Sequence, residues 1–285
     1  MNTIAPLESL FDLAIEHGDI LPLPGELQTF YGRLQFPSHA GRSYVISNFV
    51  STLDGVVELD APGRKGGGDI SGQSKPDHAV MGILRALADA VIVGAGTFNS
   101  APGHLWTAEH IYPPFAAAYK EFRGALGKAE PPLNVVVSAQ GNIDLRQPVL
   151  QSGRVPALII TTERGAQRLR GQSLASSVEV TTIASSDHIS ARGILEAVNH
   201  TRRSEIILTE GGPHLLSNFL AERCLDEQFL TLAPQIAGRE DTSSRPGLVM
   251  GMNFAPQDPR WARLVSVKRA ESHLFLRYAF ATMTT

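Results

Sequence analysis

The stretch Ile206-Ile207-Leu208-Thr209-Glu210-Gly211-Gly212-Pro213-His214-Leu215-Leu216 constrains this chain more than any other. A β-branched apolar run meets an acid, two glycines and a proline, and a helical pattern begins at once. The order predicts a buried strand, a tight turn and a helix start. Pro213 suits the first helical position, where its missing N–H is not needed. Such a turn aims backbone N–H groups and the positive helix end at one point, where a phosphate or diphosphate can sit. A lone Gly-Gly turn is most often only a connection. Here a second one, Ala90-Val91-Ile92-Val93-Gly94-Ala95-Gly96-Thr97, has the same build. The Thr97 hydroxyl can donate to a phosphate or close a cap. Gly94-Ala95-Gly96 lacks the third glycine of the Rossmann fingerprint, and no acid follows at the usual distance. Two phosphate-competent turns in one chain predict a nucleotide held across strand ends.

Around these turns, strands alternate with helices. Strands are predicted over residues 44–50, 91–93, 133–137, 157–161, 178–180, 206–209 and 227–232. Helices are predicted over 75–89, about 115–126, 189–200 and 214–223. The chain closes with alternating segments at 263–269 and 273–280, a plausible antiparallel hairpin. Alternation of this kind means a largely parallel sheet covered on both faces. Residues 1–40 read as an N-terminal appendage to a main domain at 41–285. Leu7, Leu10, Phe11, Ala14 and Ile15 recur at helical spacing there, which predicts a short amphipathic helix ended by Leu21-Pro22-Leu23-Pro24-Gly25. Residues 60–73 are predicted to be a glycine-rich loop. Residues 98–132 interrupt the alternation, and long insertions of that kind usually carry function.

A hydrophobic content of 43% supports a real core, and a net charge of −3 argues against nucleic acid as a partner. No apolar run approaches the roughly 20 residues that span a bilayer, and the first residues lack the build of a secretory signal. Cys224 is the only cysteine, so no internal disulfide forms. No Cys/His cluster has zinc spacing, so no metal is expected. These features predict a cytoplasmic enzyme acting on a small molecule.

Four motifs, in order, resemble the reductase domain of bacterial riboflavin biosynthesis proteins, which share the dihydrofolate reductase fold. They are Ser51-Thr52-Leu53-Asp54-Gly55, Leu84–Ala90 running into Val93–Thr97, Glu210-Gly211-Gly212-Pro213, and Leu225-Asp226-Glu227 leading to Ala233-Pro234 and Gly238. The resemblance spans about residues 43–280. It implies a three-layer α/β/α domain, mostly parallel with a C-terminal antiparallel hairpin, and a homodimer. It implies an NADPH-dependent reductase that sends hydride to the ribose C1′ of 5-amino-6-(5-phosphoribosylamino)uracil or a closely related pyrimidine. Gly94, Ala95, Gly96 and Thr97 would touch the cofactor. Gly211, Gly212, Pro213, His214 and Leu215 would hold its diphosphate. Ser51 and Asp54 would lie near the nicotinamide, and Ser138 on the adenosine side. Arg85, Leu105 and Glu210 fall at substrate positions.

Two departures matter. Val56 follows Asp54-Gly55 where the family commonly has a basic residue. No arginine follows Leu105, so the substrate's phosphate would lose a cation, and this admits a dihydropterin as the alternative substrate. A nucleotide-binding protein without turnover is the alternative of another class. Hydride transfer also needs a proton donor, and Asp54 and Glu210, each just past a strand end, are the catalytic candidates. Arg164, in the turn Glu163-Arg164-Gly165, and Gln140 could meet a 2′-phosphate. His104 and Trp106 could line the substrate pocket. His78 and His200 read as ordinary helix residues, and Cys224 as a small buried hydrophobe.

Overall fold

The computed structural model describes residues 4–13, 18–39, 41–59, 66–185, 188–240 and 245–281. Its strands are β1 (Glu8–Asp12), β2 (Tyr44–Ser51), β3 (Ala90–Gly94), β4 (Leu133–Ser138), β5 (Ala157–Thr162), β6 (Val178–Ala184), β7 (Ile206–Thr209), β8 (Glu227–Leu232), β9 (Ala262–Ala270) and β10 (His273–Phe280). The helices are α1 (Gly25–Tyr31), α2 (Gly67–Ser71), α3 (Lys75–Leu87), α4 (Ala95–Ser100), α5 (Ala108–Ile111), α6 (Ala116–Ala125), α7 (Pro148–Gln151), α8 (Glu163–Leu169), α9 (Ala191–Thr201) and α10 (Pro213–Ala221).

All ten strands form one sheet in the order β1-β9-β10-β8-β2-β7-β3-β4-β5-β6. From β8 to β6 every neighbouring pair is parallel. The hairpin β9–β10 and strand β1 add antiparallel strands on the other wing. The fold is thus the mostly parallel α/β sandwich with a C-terminal hairpin that the sequence predicts.

The apolar strands of the centre are buried on both faces. Alternate side chains divide between two layers. Ile46, Val91, Val93, Val136 and Leu208 face one core with Phe30, Ile83, Leu87, Tyr119 and Phe122. Val45, Ile92, Val135, Leu158 and Ile207 face the other with Ile194, Val198, Leu216 and Phe219. Each side chain fully buried in this way contributes roughly 1.5–3 kcal/mol.

The amphipathic helix predicted near the N-terminus is a strand instead. Residues Glu8–Asp12 pair antiparallel with β9, Glu8 opposite Arg269 and Asp12 opposite Ser266. Leu7 is buried, but Leu10 and Phe11 are 50% and 40% exposed, so the described part of the segment does not bury the predicted helical stripe. The unpaired edge of β9 offers a row of backbone partners, and that tertiary gain outweighs local spacing. Ala14 and Ile15 lie outside the described residues. Pro24, read as part of a helix end, precedes the first residue of α1. The segment packs on the main sheet, with Leu27, Phe30 and Leu34 in its core. Of the loop predicted at 60–73, residues 60–65 lie outside the described residues, and Gly67–Ser71 form α2.

The chain passes from β2 to β3 across a gap that β7 later fills. The C-terminal ends of β2, β7 and β3 therefore stand side by side where the strand order reverses. A crevice opens at such a switch point.

Candidate active site

A cleft of about 330 Å³ lies along this edge. Asn48, Phe49 and Val50 of β2 form one wall. Glu210 and Gly211-Gly212-Pro213, between β7 and α10, form its floor with Thr97 of α4. His78, Met81 and Arg85 of α3 form a second wall. Their spacing of three and four residues places them on one helical stripe. Ala79, Ile83 and Ala86, on the other side of α3, are fully buried.

The two glycine turns touch one another. A Cβ on Gly211 would stand 3.0 Å from the Gly94 backbone nitrogen and 2.4 Å from Leu215 Cδ2. A Cβ on Gly212 would lie 3.4 Å from Thr97 Oγ1, an ordinary contact, and one on Gly96 would meet nothing within 4 Å. Neither α4 nor α10 has a side-chain cap at its start. Thr97, Gly211, Gly212 and Pro213 line the cleft. Gly94, Ala95, Gly96, His214 and Leu215 belong to the same two turns but not to its lining.

Arg85 and Glu210, 125 residues apart, meet at the centre. Arg85 Nε donates to both carboxylate oxygens at 3.0 and 3.2 Å, and Nη2 donates to Oε2 at 2.6 Å. Both side chains are buried, at 3% and 7% exposure. Arg85 Nη1 makes a further bond of 2.8 Å to His104 Nε2 and a longer one to the Thr107 carbonyl. His104 and Trp106 line the cleft, as the sequence suggested they could. Trp106 stacks on Phe98 at 5.4 Å, and the His104 ring meets Trp106 edge-on at 5.0 Å. Burial pushes the His104 imidazole down to about 2, helped by Arg85, His110 and His78.

His78, read as an ordinary helix residue, lies in α3 and also lines the cleft. Burial first, and Arg85 after it, lowers its pKa, against the pull of Asp77. Ile111 of α5 and Glu58, beyond β2, also line the cleft and were not singled out. The alignment of His78 and Met81 with Arg85 on one stripe of α3 was the readable signal for both. Residues 98–132 divide in two. His104, Trp106 and Ile111 serve the cleft, while Phe115, Tyr119 and Phe122 serve the core.

Asp54 stands elsewhere. Its Oδ1 accepts from Thr52 Oγ1 at 2.5 Å and from the Ala237 amide at 3.1 Å, and Oδ2 accepts from the Gly238 amide at 2.8 Å. Arg239 donates to the carbonyls of Asp54 and Gly55. The carboxylate therefore ties the turn after β2 to the segment after β8, and it is absent from the cleft lining. The Thr52 hydroxyl and the two amides hold it down at about 2, below its ordinary 3.8. A depressed folded-state pKa gives stability that is present above the ordinary value and lost as pH falls toward 2. Asp54→Asn is expected to destabilise the chain near pH ~6, and to matter progressively less between pH ~4 and ~2. Urea melts of both proteins at the two ends of that window check this. An equal difference at both ends would contradict it.

Ser51 is buried and donates to the Thr52 carbonyl. Leu105, between His104 and Trp106 in the chain, is buried in the core. Ser138 ends β4, and its carbonyl accepts from Thr161. Arg164 lies in the first turn of α8, not in an open turn, because the Thr162 hydroxyl accepts from the Gly165 amide and starts a helix there. A Cβ on Gly141 would meet the Gly165 carbonyl at 2.6 Å, so the segments carrying Gln140 and Arg164 adjoin at the ends of β4 and β5. Neither residue lines the cleft.

Comparison with known proteins bears on this geometry. The chain is 25% identical over 199 residues to the riboflavin biosynthesis protein RibD of Aquifex aeolicus, covering 69% of this chain and 48% of that protein. It thus spans about half the length of that curated relative. A pyrimidine reductase-like protein from Corynebacterium diphtheriae superposes with a TM-score of 0.66 at 21% identity, over 90% of this chain and 99% of that one. A diaminohydroxyphosphoribosylaminopyrimidine deaminase/5-amino-6-(5-phosphoribosylamino)uracil reductase from Thermotoga maritima gives 0.60 at 21% identity, over 84% and 57%. These two structures share the fold. The RibD C-terminal domain model matches residues 43–266, and the chain belongs to that family.

Proposed function

We propose that this protein is an NADPH-dependent reductase of the riboflavin-biosynthesis type. Its substrate is 5-amino-6-(5-phosphoribosylamino)uracil or a closely related pyrimidine. The buried Arg85–Glu210 pair, set beside two uncapped glycine turns in one cleft, carries this reading.

The residues present fit a dinucleotide. The start of α10, with Gly211, Gly212, Pro213, His214 and Leu215, would hold the diphosphate. Gly94, Ala95, Gly96 and Thr97 would take its other side, and the open space beside Gly96 leaves the backbone approachable. Ser51 would sit toward the nicotinamide and Ser138 toward the adenosine, with Gln140 and Arg164 at neighbouring strand ends for a 2′-phosphate. The bound cofactor supplies hydride.

The chain's own residues hold the substrate. Three bonds from Arg85 fix the Glu210 carboxylate and leave Oε1 with lone-pair capacity for a substrate N–H. The planar donor fork of Arg85, meeting both oxygens, keeps the carboxylate oriented through the reaction. Glu210 is the catalytic candidate that faces the cleft. Asp54 acts at one remove, by fixing the turn after β2 against residues 237–238. Leu105, buried in the core, anchors the stretch that carries His104 and Trp106. The reading includes a homodimer and a cytoplasmic location. Among the described residues no helix is long and apolar enough to cross a membrane.

A dihydropterin is the second reading, and one observation favours it. Among the described lining residues Arg85 is the only lysine or arginine, and Glu210 already compensates it. NADPH oxidation followed by absorbance, with the pyrimidine and dihydrofolate in parallel, decides. Turnover of the pyrimidine is expected. Turnover of dihydrofolate alone would establish the second reading, and NADPH binding without either turnover would mean a binding protein. Failure to bind any reduced nicotinamide cofactor would sink both enzyme readings together.

A further inference from the structure

Arg85 does more than hold Glu210. Its Nη1 lies 2.8 Å from His104 Nε2, and a guanidinium only donates. Nε2 must therefore be the lone-pair nitrogen of a neutral ring, and the one ring proton must sit on Nδ1. Among the described residues Nδ1 has no protein hydrogen-bond partner. His104 lines the cleft, its ring steadied by Trp106 at 5.0 Å and His110 at 4.6 Å. We infer that the chain Glu210–Arg85–His104 fixes His104 as the Nδ1–H tautomer, a hydrogen-bond donor that recognises an acceptor atom of the substrate. The substrate class that fits is a heterocycle or sugar presenting a carbonyl, ring-nitrogen or ring-oxygen lone pair at this wall.

The environment keeps that donor constant. The groups facing the ring are Arg85 and His78 from α3 and His110 from α5. Burial and these neighbours all disfavour the imidazolium. His104 then neither loses its acceptor role toward Arg85 nor gains a second proton over the working pH range. The residue lies just before Leu105, in the stretch where this chain has no arginine, so it supplies a neutral donor on a wall that offers no free cation among the described residues.

The tautomer part stands alone, while the substrate part rests on the reductase reading. Long-range ¹H–¹⁵N spectra of the full chain labelled at histidine test the first. His104 should show a protonated Nδ1 and a bare Nε2 from pH ~8 to ~5, without titrating. A protonated Nε2, or a titration in that range, overturns the inference. Steady-state kinetics with NADPH and the pyrimidine test the second. His104→Phe should raise KM about tenfold with a smaller change in kcat, which is about 1.4 kcal/mol and the size of one lost hydrogen bond. His104→Asn, which restores an N–H near the Nδ1 position, should recover part of it. An unchanged KM in His104→Phe overturns the substrate part while leaving the reductase reading intact. A wild type without turnover fails the reading instead, and the spectrum still decides the tautomer.

Discussion

Arg85→Met is expected to lower the free energy of unfolding by about 3–5 kcal/mol, because it strands a buried carboxylate without its cation. The Glu210 side chain is only 7% exposed, and among the described residues its carboxylate takes all three of its hydrogen bonds from Arg85. An exposed ion pair would give about 0–1 kcal/mol, and the two ranges do not overlap. The same argument predicts that Arg85→Met combined with Glu210→Leu regains most of the loss, since replacing both partners leaves no unpaired charge. Urea unfolding of the wild type, both single variants and the double variant measures the cycle. A single-variant loss under about 1 kcal/mol would mean that water reaches the carboxylate freely. The double variant should remain inactive although folded. A pair whose removal is tolerated by the fold but not by turnover is kept for the site.

That pair also shows what a sequence does and does not disclose. The strands and glycine turns are local signals. β-branched runs buried on both faces read as strands wherever they stand, and Gly211-Gly212-Pro213 announces its turn within three residues. Glu210 and Arg85 could each be singled out, but their partnership spans 125 positions and only the sheet order brings them together. Asp54 is the sharper case. Asp-Gly after a strand marks a turn, and its place by a strand end suggested proton transfer. Its real partners, the amides of residues 237 and 238, come from 183 and 184 residues away. Strand β1 was missed for the same reason, because the edge of β9 that it covers lies at the other end of the chain. His78 was discounted although its neighbours on the stripe, Met81 and Arg85, marked a face of α3 that is not core. Helices α4 and α8 run only six and seven residues, under two turns, too short for periodicity to show.

The glycine turns permit a test that separates fold from ligand. Gly211 and Gly212 are adjacent, yet a methyl group at each meets different surroundings. On Gly211 it would press against the Gly94 backbone nitrogen and deep into Leu215. Leu215 is 7% exposed and backbone cannot turn aside, so Gly211→Ala should cost about 1–3 kcal/mol of stability as overpacking. On Gly212 the methyl group reaches only Thr97 Oγ1 at 3.4 Å. Gly212→Ala should therefore melt within about 0.5 kcal/mol of the wild type, the range of substitutions that disturb no packing. The cost of Gly212→Ala falls instead on the ligand. The methyl group would stand where a diphosphate must approach the first turn of α10, whose start has no side-chain cap. NADPH affinity, followed by fluorescence titration, should drop by at least ~10-fold, which corresponds to about 1.4 kcal/mol. A stable Gly212→Ala protein that binds NADPH as tightly as the wild type would place the diphosphate elsewhere and remove the floor of the cleft from the cofactor site.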